Sequence, residues 1–241
     1  MRVRPTPSLR RIVPALFVAY FLHFPLIAQA DTIVLIANED TAPYAFLPSL
    51  ARHNNPTLYS FVDEDMGTPH DFETYLWFDV AAADIPQGHV LTDAVLVNTY
   101  AFNFAGFGEP STNPATLECR EVLEPWDQST LTWSNRPASG PPFDSVPGIT
   151  DFGAVLCNSR QTVFDWIYGV RANEGFALTN PTDRVLGMHS IESTASTSLM
   201  PTLVLTTALP EPGLGISFAA SSILLTLTAR RKRSRRSEVH E

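Results

Sequence analysis

Regular alternation of apolar and polar residues is the feature that most limits what this chain can fold into. Between Phe72 and Val80, every second side chain starting at Thr74 falls on one face of an extended strand. The same period recurs in four further runs, at residues 90–100, 116–122, 175–179 and 199–205. Turn-forming clusters separate the runs, among them Ile85–Gly88 and the proline-rich stretch 136–148. This pattern predicts an all-β fold, a jelly-roll-like β-sandwich of two antiparallel sheets.

One segment departs from the strand pattern and predicts a short helix. Val163, Trp166 and Ile167 share one face at helical spacing. Thr162 is positioned to cap this helix and Gly169 to end it. The expected fold is therefore a sandwich with one short helix.

The N-terminus has the composition of an export signal. Four arginines within the first 11 residues precede an apolar run over residues 12–27, and Ala28–Ala30 gives the small-x-small pattern read by signal peptidase. We therefore expect a signal peptide at residues 1–30 and a mature chain that begins at Asp31. An uncleaved membrane anchor is the alternative.

The C-terminus is patterned as well. Pro210, Glu211 and Pro212 precede an uncharged stretch at residues 213–229, and six basic residues follow within 230–236. A helix of those 17 residues would be about 25 Å long, slightly shorter than the roughly 30 Å hydrocarbon core of a bilayer. Bilayer thinning or snorkelling closes that difference. The stretch therefore predicts a transmembrane helix, with the basic end in the cytoplasm and the preceding domain outside.

Pro-Glu-Pro, a short apolar helix and a terminal arginine cluster, in this order, resemble the PEP-CTERM sorting signal. The resemblance covers residues 209–236, although residues 237–241 continue where such tails usually stop. It implies that an exosortase-type membrane enzyme of Gram-negative bacteria processes the tail, and that the mature protein ends near Pro210. An ordinary single-pass anchor is the alternative.

The segment between these ends, residues 31–208, is long enough for one domain with its own core. It holds 22 acidic residues against six arginines and no lysine, a formal net charge near −16. Binding to nucleic acid or to anionic glycans depends on clustered lysine and arginine, so this composition argues against both classes of partner. It suits a neutral ligand, a cationic ligand or bridging by calcium.

Both cysteines of the chain, Cys119 and Cys157, fall in this domain. An even number in an oxidising compartment favours one disulfide. Closing a loop of about 39 residues would stabilise the fold by about 4 kcal/mol in the chain-entropy treatment. Two separate buried thiols are the alternative.

The most distinctive segment, residues 124–137, reads EPWDQSTLTWSNRP. We expect a turn pinned by Trp126, in which carboxylate and hydroxyl side chains bond backbone amides. A short strand over residues 130–133 should follow, with Leu131 and Trp133 on one face. The segment resembles the W-x-E-x-x-x-T-W-x-x-x-P core of DNRLRE domains, which are extracellular β-sandwich modules related to carbohydrate-binding modules.

Other segments match these domains in order along nearly the whole of residues 31–208. They are 30–32, 75–79, 85–88, 94–96, 163–169, 173–178, 189–192 and 201–203. Trp77 stands where the family usually has arginine, Asn98 where it has an apolar residue and Gln128 where it has glutamate, and residues 38–71 match poorly. Some relatives bind acidic polysaccharide through basic residues, and the scarcity of positive charge here argues against carrying that ligand over.

Two groups of residues are candidate binding sites. Tyr75 and Trp77 lie two apart on the strand, where aromatic rings facing solvent would stack on sugar rings; the alternative is that they form an inner packing layer. Asp63, Glu64 and Asp65 form a carboxylate-dense loop of the kind that calcium uses, and a solvated acidic turn is the alternative. Three further tryptophans are assigned to structure: Trp126, Trp133 and Trp166.

No nucleophile motif, zinc-ligand spacing or phosphate-binding glycine loop is present in the sequence. Acidic residues are too numerous for a glycosidase pair to be chosen among them. We therefore expect no enzyme and no cofactor, with calcium the one ion left open. The expected protein is an exported component of the bacterial envelope, cell surface or extracellular matrix that binds glycan or adheres. The alternatives are a purely structural envelope or biofilm component without a ligand pocket, and a polysaccharide-degrading hydrolase.

Overall fold

The computed structural model describes residues 30–61, 71–105, 109–110, 114–150, 152–182, 184–194 and 196–210. Residues Ala30–Ala208 form one compact unit. Among the described residues, no helix reaches the length and hydropathy that crossing a bilayer requires. The predicted signal peptide, apart from Ala30, and the predicted transmembrane helix lie outside these residues.

The described residues form twelve strands in two antiparallel sheets. The strands are β1 (Ala30–Ile36), β2 (Glu39–Thr41), β3 (Thr57–Ser60), β4 (Thr74–Trp77), β5 (Val90–Ala105), β6 (Glu109–Pro110), β7 (Ala115–Val122), β8 (Ser139–Ile149), β9 (Gly153–Asn158), β10 (Phe176–Thr179), β11 (Arg184–His189) and β12 (Thr202–Ala208). The first sheet has the order β1-β12-β5-β11-β3, with β6 and β9 also paired to β5, and the second has the order β2-β4-β10-β7-β8. With one short helix, α1 (Arg160–Ile167), this arrangement is consistent with a β-sandwich and confirms the predicted all-β class.

Alternation along the strands places one face of each sheet in a shared core. Leu96 and Leu203 from the first sheet and Leu76 and Phe176 from the second belong to the same buried cluster, and none of them is exposed. Burying one such side chain stabilises the fold by about 1.5–3 kcal/mol. Asn98 also lies fully buried, and neither polar atom of its side chain has a hydrogen-bond partner among the described residues.

A disulfide joins the two sheets. Cys119 lies on β7 of the second sheet and Cys157 on β9 of the first, with their Cα atoms 6.5 Å apart. Both cysteines are fully buried. The predicted pairing is therefore confirmed, and the alternative of two free thiols is wrong.

The proline-rich stretch 136–148, predicted as a turn cluster, is mostly strand β8. β8 lies at the edge of the second sheet, and its pairing with β7 shifts register three times. Proline has no N–H to donate, so it is tolerated on an edge strand, where only one side of the backbone is paired. An edge position thus accommodates Pro141, Pro142 and Pro147.

The helix begins earlier than predicted. Ser159 is its N-cap residue, and Thr162 lies inside the helix as a buried residue. Val163 and Trp166 are buried as expected, and Ile167 packs partly buried against the same core. The predicted end is confirmed, since Gly169 follows the helix with a φ of 69°.

Candidate ligand-binding surface

Residues 124–138, called here the covering loop, fold over the outer face of the second sheet. The Leu123 amide donates to the Ala138 carbonyl at 2.9 Å, and the Ala138 amide donates to Glu124 Oε2 at 3.0 Å. These two hydrogen bonds hold the ends of the loop together. The most distinctive segment of the sequence is therefore a closed structural unit.

Trp126 fixes the covering loop to the sheet. Its ring lies 5.8 Å from that of Tyr75, and its Nε1 donates to the Glu174 carbonyl at 2.7 Å. Leu131 completes a small buried cluster on this face with Val122. The cluster explains why a segment with few regular hydrogen bonds keeps a fixed position, since it buries apolar surface of its own.

Tyr75, a candidate for a solvent-facing ring with inner packing as the alternative, lies at the centre of this cluster with no exposed surface. Burial raises the pKa of its hydroxyl, and the nearby charge of Glu73 raises it further. Trp77 is only partly buried, and its Nε1 donates to the Asn173 carbonyl at 3.1 Å. The two rings thus do not form an open platform, because the covering loop occupies the face of Tyr75.

Hydrogen bonds within the covering loop replace the strand predicted at residues 130–133. The Ser129 amide donates to Asp127 Oδ1 at 2.7 Å, and the Leu131 amide donates to the Asp127 carbonyl at 2.9 Å. The hydrogen bonds from Ser129 lower the pKa of the Asp127 carboxyl. A 3₁₀ turn follows at Trp133–Asn135, so the predicted strand is wrong: local side-chain bonds satisfy amides that a sheet would otherwise pair.

A surface depression of about 490 Å³ opens beside this turn. The guanidinium of Arg136 lies 3.8 Å from the centre of the Trp133 ring, and Arg136 Nη1 donates to the Trp133 carbonyl at 2.9 Å. Arg136 Nε lies 3.5 Å from Glu73 Oε2. Glu73 and Glu124 also line the depression. It therefore combines one aromatic ring with a cation and two carboxylates.

Burial and a neighbouring cation act in opposite directions on the charge of Glu73. Burial raises the pKa of Glu73, while the positive charge of Arg136 opposes that rise. The Arg136 side chain is 38% exposed, against 12% for Glu73, so the cation shields a carboxylate from solvent. A ligand in the depression would meet fixed donors and acceptors beside the indole ring of Trp133.

A second buried acidic group lies between the sheets. Asp40 on β2 accepts a hydrogen bond from the Ile191 amide at 2.7 Å and another from Ser190 Oγ at 3.2 Å, and Ser190 also bonds Glu192. Burial raises the pKa of Asp40 to about 8, with the charge of Glu192 adding to the rise. Asp40 is 1% exposed, and its hydrogen bonds connect β2 to the segment after β11.

The remaining predicted site residues are placed as follows. Asp63, Glu64 and Asp65 lie outside the described residues, as do Glu211 and Pro212 of the sorting motif. Pro210 is described and exposed. Within the described ranges, no group of three or more histidine, cysteine, aspartate or glutamate residues is arranged to hold a metal ion.

Sequence reasoning did not identify Arg136, Glu73 and Glu124 as site residues. The available signal was Arg136, one of only six arginines in an acidic domain and placed three residues after Trp133. The sequence predicts a structural role for Trp133. The side chain lies in the covering loop and also lines the depression. A scan against protein-family models and a search of curated proteins find no match to this chain.

Proposed function

We propose that this chain is an exported, non-catalytic β-sandwich protein that binds neutral glycans through the depression beside Trp133, in a surface or matrix-adhesive role. The observation that carries the proposal is an open depression of about 490 Å³ lined by Trp133, whose ring is only partly buried and has the Arg136 guanidinium over one of its two faces. Aromatic rings with nearby hydrogen-bonding groups suit sugars, which have both apolar ring faces and hydroxyl groups.

The charge of the site favours a neutral or weakly cationic sugar. Glu73 and Glu124 contribute acceptors, whereas Arg136 is the one cation among the described residues that line the depression. The whole domain carries a net charge near −16, which opposes the approach of an acidic polysaccharide. Extracellular polysaccharide made of neutral sugars is therefore the proposed ligand, with nucleic acid excluded on the same ground.

The proposed fold family is a jelly roll of the DNRLRE type. The first sheet has seven strands and the second has five, and successive strands of the chain pass repeatedly between them. Repeated crossing between two antiparallel sheets supports this proposal, because jelly rolls are built in that way. The closed covering loop around Trp126 and Trp133 supports a defined structural role for the segment that carries the family resemblance.

The proposed location is the bacterial envelope, with a single-pass membrane form before an exosortase-type enzyme processes the tail. The buried disulfide between Cys119 and Cys157 supports an oxidising compartment. The compact unit Ala30–Ala208 also starts and stops where the leader and the tail are proposed to join it.

Intact mass of the protein recovered from the cell surface tests this location. We expect a chain that begins at Asp31 and lacks the residues after about Pro210, because both ends are removed by processing enzymes. A retained tail would instead support a simple membrane anchor. An intact leader on soluble protein inside the cell would contradict export.

Glycan binding is tested with Trp133→Ala. If a sugar stacks on this ring, the variant should bind a neutral glycan at least about fivefold more weakly, since an aromatic contact contributes about 1 kcal/mol beyond its buried area. The measurement is isothermal titration against the best neutral ligand found on a glycan array. Phe152→Ala is the matched control, because Phe152 is 77% exposed and does not line the depression.

The outcome also separates the alternatives. No binding to any glycan, with or without calcium, would favour a purely structural component. Equal glycan binding by Trp133→Ala and wild type would show that the binding site lies elsewhere on the domain. Turnover of polysaccharide by the purified protein would contradict a non-catalytic role and favour a hydrolase.

A further inference from the structure

A second depression, of about 310 Å³, opens on the covering loop. Its lining residues are Pro125, Trp126, Asp127, Thr130, Leu131 and Asn135. Among the described residues, it shares no lining residue with the depression beside Trp133. The covering loop therefore contributes to two separate openings.

The two depressions border each other at two points of the covering loop. Glu124 lines the depression beside Trp133 and Pro125 lines the second one, and the same holds for Ser134 and Asn135. Consecutive Cα atoms lie about 3.8 Å apart, so the lining residues of the two openings are direct neighbours at these points. All four bordering residues are exposed. A ligand that extends over them can therefore reach from one depression into the other.

Each depression is lined by one tryptophan that is only partly buried, Trp133 in the first and Trp126 in the second. Contacts within the domain hold both rings. The Arg136 guanidinium lies over one face of Trp133, 3.8 Å from the ring centre. Trp126 donates from Nε1 to the Glu174 carbonyl at 2.7 Å, and its ring lies 5.8 Å from that of Tyr75. Rings held in this way lose little conformational freedom when a ligand stacks on them.

Most of the other lining side chains are polar in both depressions. Asp127, Thr130 and Asn135 supply a carboxylate, a hydroxyl and a carboxamide to the second one, and all three residues are exposed. A wholly apolar ligand, such as a lipid chain or an apolar peptide, would remove these groups from water without bonding them, which is unfavourable. A sugar offers hydroxyl groups to the polar side chains and an apolar ring face to the indole.

We infer that the ligand is a linear oligosaccharide of neutral sugars that spans both depressions, with one sugar on Trp133 and another on Trp126. This inference rests on the proposed glycan site. A polysaccharide repeats one unit along its chain, so it can present a stacking face to each of two similar sites, which a single sugar cannot. Two contacts made by one chain reinforce each other, because the second forms within a complex that already exists. The domain's net charge near −16 restricts the chain to neutral or weakly cationic units.

Titration calorimetry with cello-, manno- and xylo-oligosaccharides tests the inference, on the full-length protein in a non-ionic detergent that contains no sugar. The variant Thr130→Arg places a long side chain at the second depression. Thr130 is exposed, and its hydroxyl makes a long hydrogen bond of 3.4 Å to the Asp127 carbonyl, so the fold should be kept. The variant should bind hexasaccharides at least about fivefold more weakly than wild type, because the contact with Trp126 is blocked. Its affinity for glucose, mannose and xylose should be unchanged, because a single sugar needs only the depression beside Trp133.

Two further variants complete the comparison. Val170→Arg is the charge-matched control: Val170 is 65% exposed and lines neither depression, so its binding of single sugars and hexasaccharides should equal that of wild type. Trp126→Phe keeps a ring against Tyr75 but offers a smaller face to a ligand, so it too should weaken the binding of hexasaccharides alone. Circular dichroism of each variant shows whether the fold is kept.

A loss confined to hexasaccharides in Thr130→Arg would establish the inference. Equal hexasaccharide affinity of Thr130→Arg and wild type would overturn it and leave the site at Trp133 in place, since any gain with length would then come from the number of ways a long chain can bind one site. Equal losses for single sugars and hexasaccharides would also overturn it, because the second depression would then be the main site. No binding of any of these oligosaccharides would overturn the inference, whereas no binding across the whole glycan array would overturn the proposed function as well.

Discussion

Gly175→Ala is expected to destabilise the domain by about 2–5 kcal/mol, a large part of the 5–15 kcal/mol that such domains have. A Cβ atom on Gly175 would lie 2.3 Å from the backbone oxygen of Leu76, and φ at this position is +88°. The backbone oxygen cannot rotate away, so β4 and β10 would have to separate where Phe176 pairs with Leu76. Urea denaturation followed by circular dichroism measures the free energy of unfolding.

Gly148→Ala separates the two causes of that loss. Gly148 also has a positive φ, of +80°, but no atom lies within 4 Å of the position where its Cβ would be. The free energy of unfolding of this variant should therefore fall only by the cost of placing alanine in a left-handed backbone conformation, about 1–2 kcal/mol. Equal losses in the two variants would contradict the close approach of β4 to Gly175.

Removing the disulfide by replacing Cys119 and Cys157 together with alanine is expected to cost about 4 kcal/mol. The bridge spans 38 residues along the chain and joins the two sheets. Its loss raises the conformational entropy of the unfolded chain, while the folded chain keeps its packing. The midpoint of urea denaturation should fall, with little change in the native circular dichroism spectrum. Both cysteines are fully buried, so a small cavity adds to the loss.

Wild type denatured in the presence of a thiol reductant is the control. Its free energy of unfolding should fall towards that of the double variant, and the reductant should leave the double variant unchanged. If reduction has no effect on the wild type at equilibrium, the bridge contributes nothing to stability and the expectation is wrong.

The strand pattern and the cysteine pair could be predicted because each depends on local composition. Alternation along β5 and β7 is clear, and only two cysteines were available to pair. The end of the helix was also local, because Gly169 provides the positive φ. The start of the helix could not be predicted in this way, since Ser159 and Thr162 are both acceptable N-cap residues. Thr162 lies inside the helix because it packs in the core, which local sequence does not reveal.

The candidate site could not be predicted because it depends on what covers an outer sheet face. Alternation assigns Tyr75 and Trp77 to one face, but it does not say that the covering loop lies over Tyr75 and leaves Trp77 partly open. The contact between Trp133 and Arg136 arises from a 3₁₀ turn that strand propensity obscures. The prolines of β8 led to the prediction of a turn for a related reason. Whether a strand lies at the edge of a sheet, where proline is tolerated, depends on the whole sheet and not on the local sequence.

Ala30 pairs with Ala208, so the first and last strands of the domain lie side by side and both chain ends leave it at the same end. A mechanical pull directed along β12 from its C-terminal end would act on a strand that is held on one side by β1 and on the other by β5. The ladder hydrogen bonds run perpendicular to the axis of β12, so they would be loaded together in shear instead of opening one after another. Such a domain would resist flow and detachment forces even where its free energy of unfolding is modest.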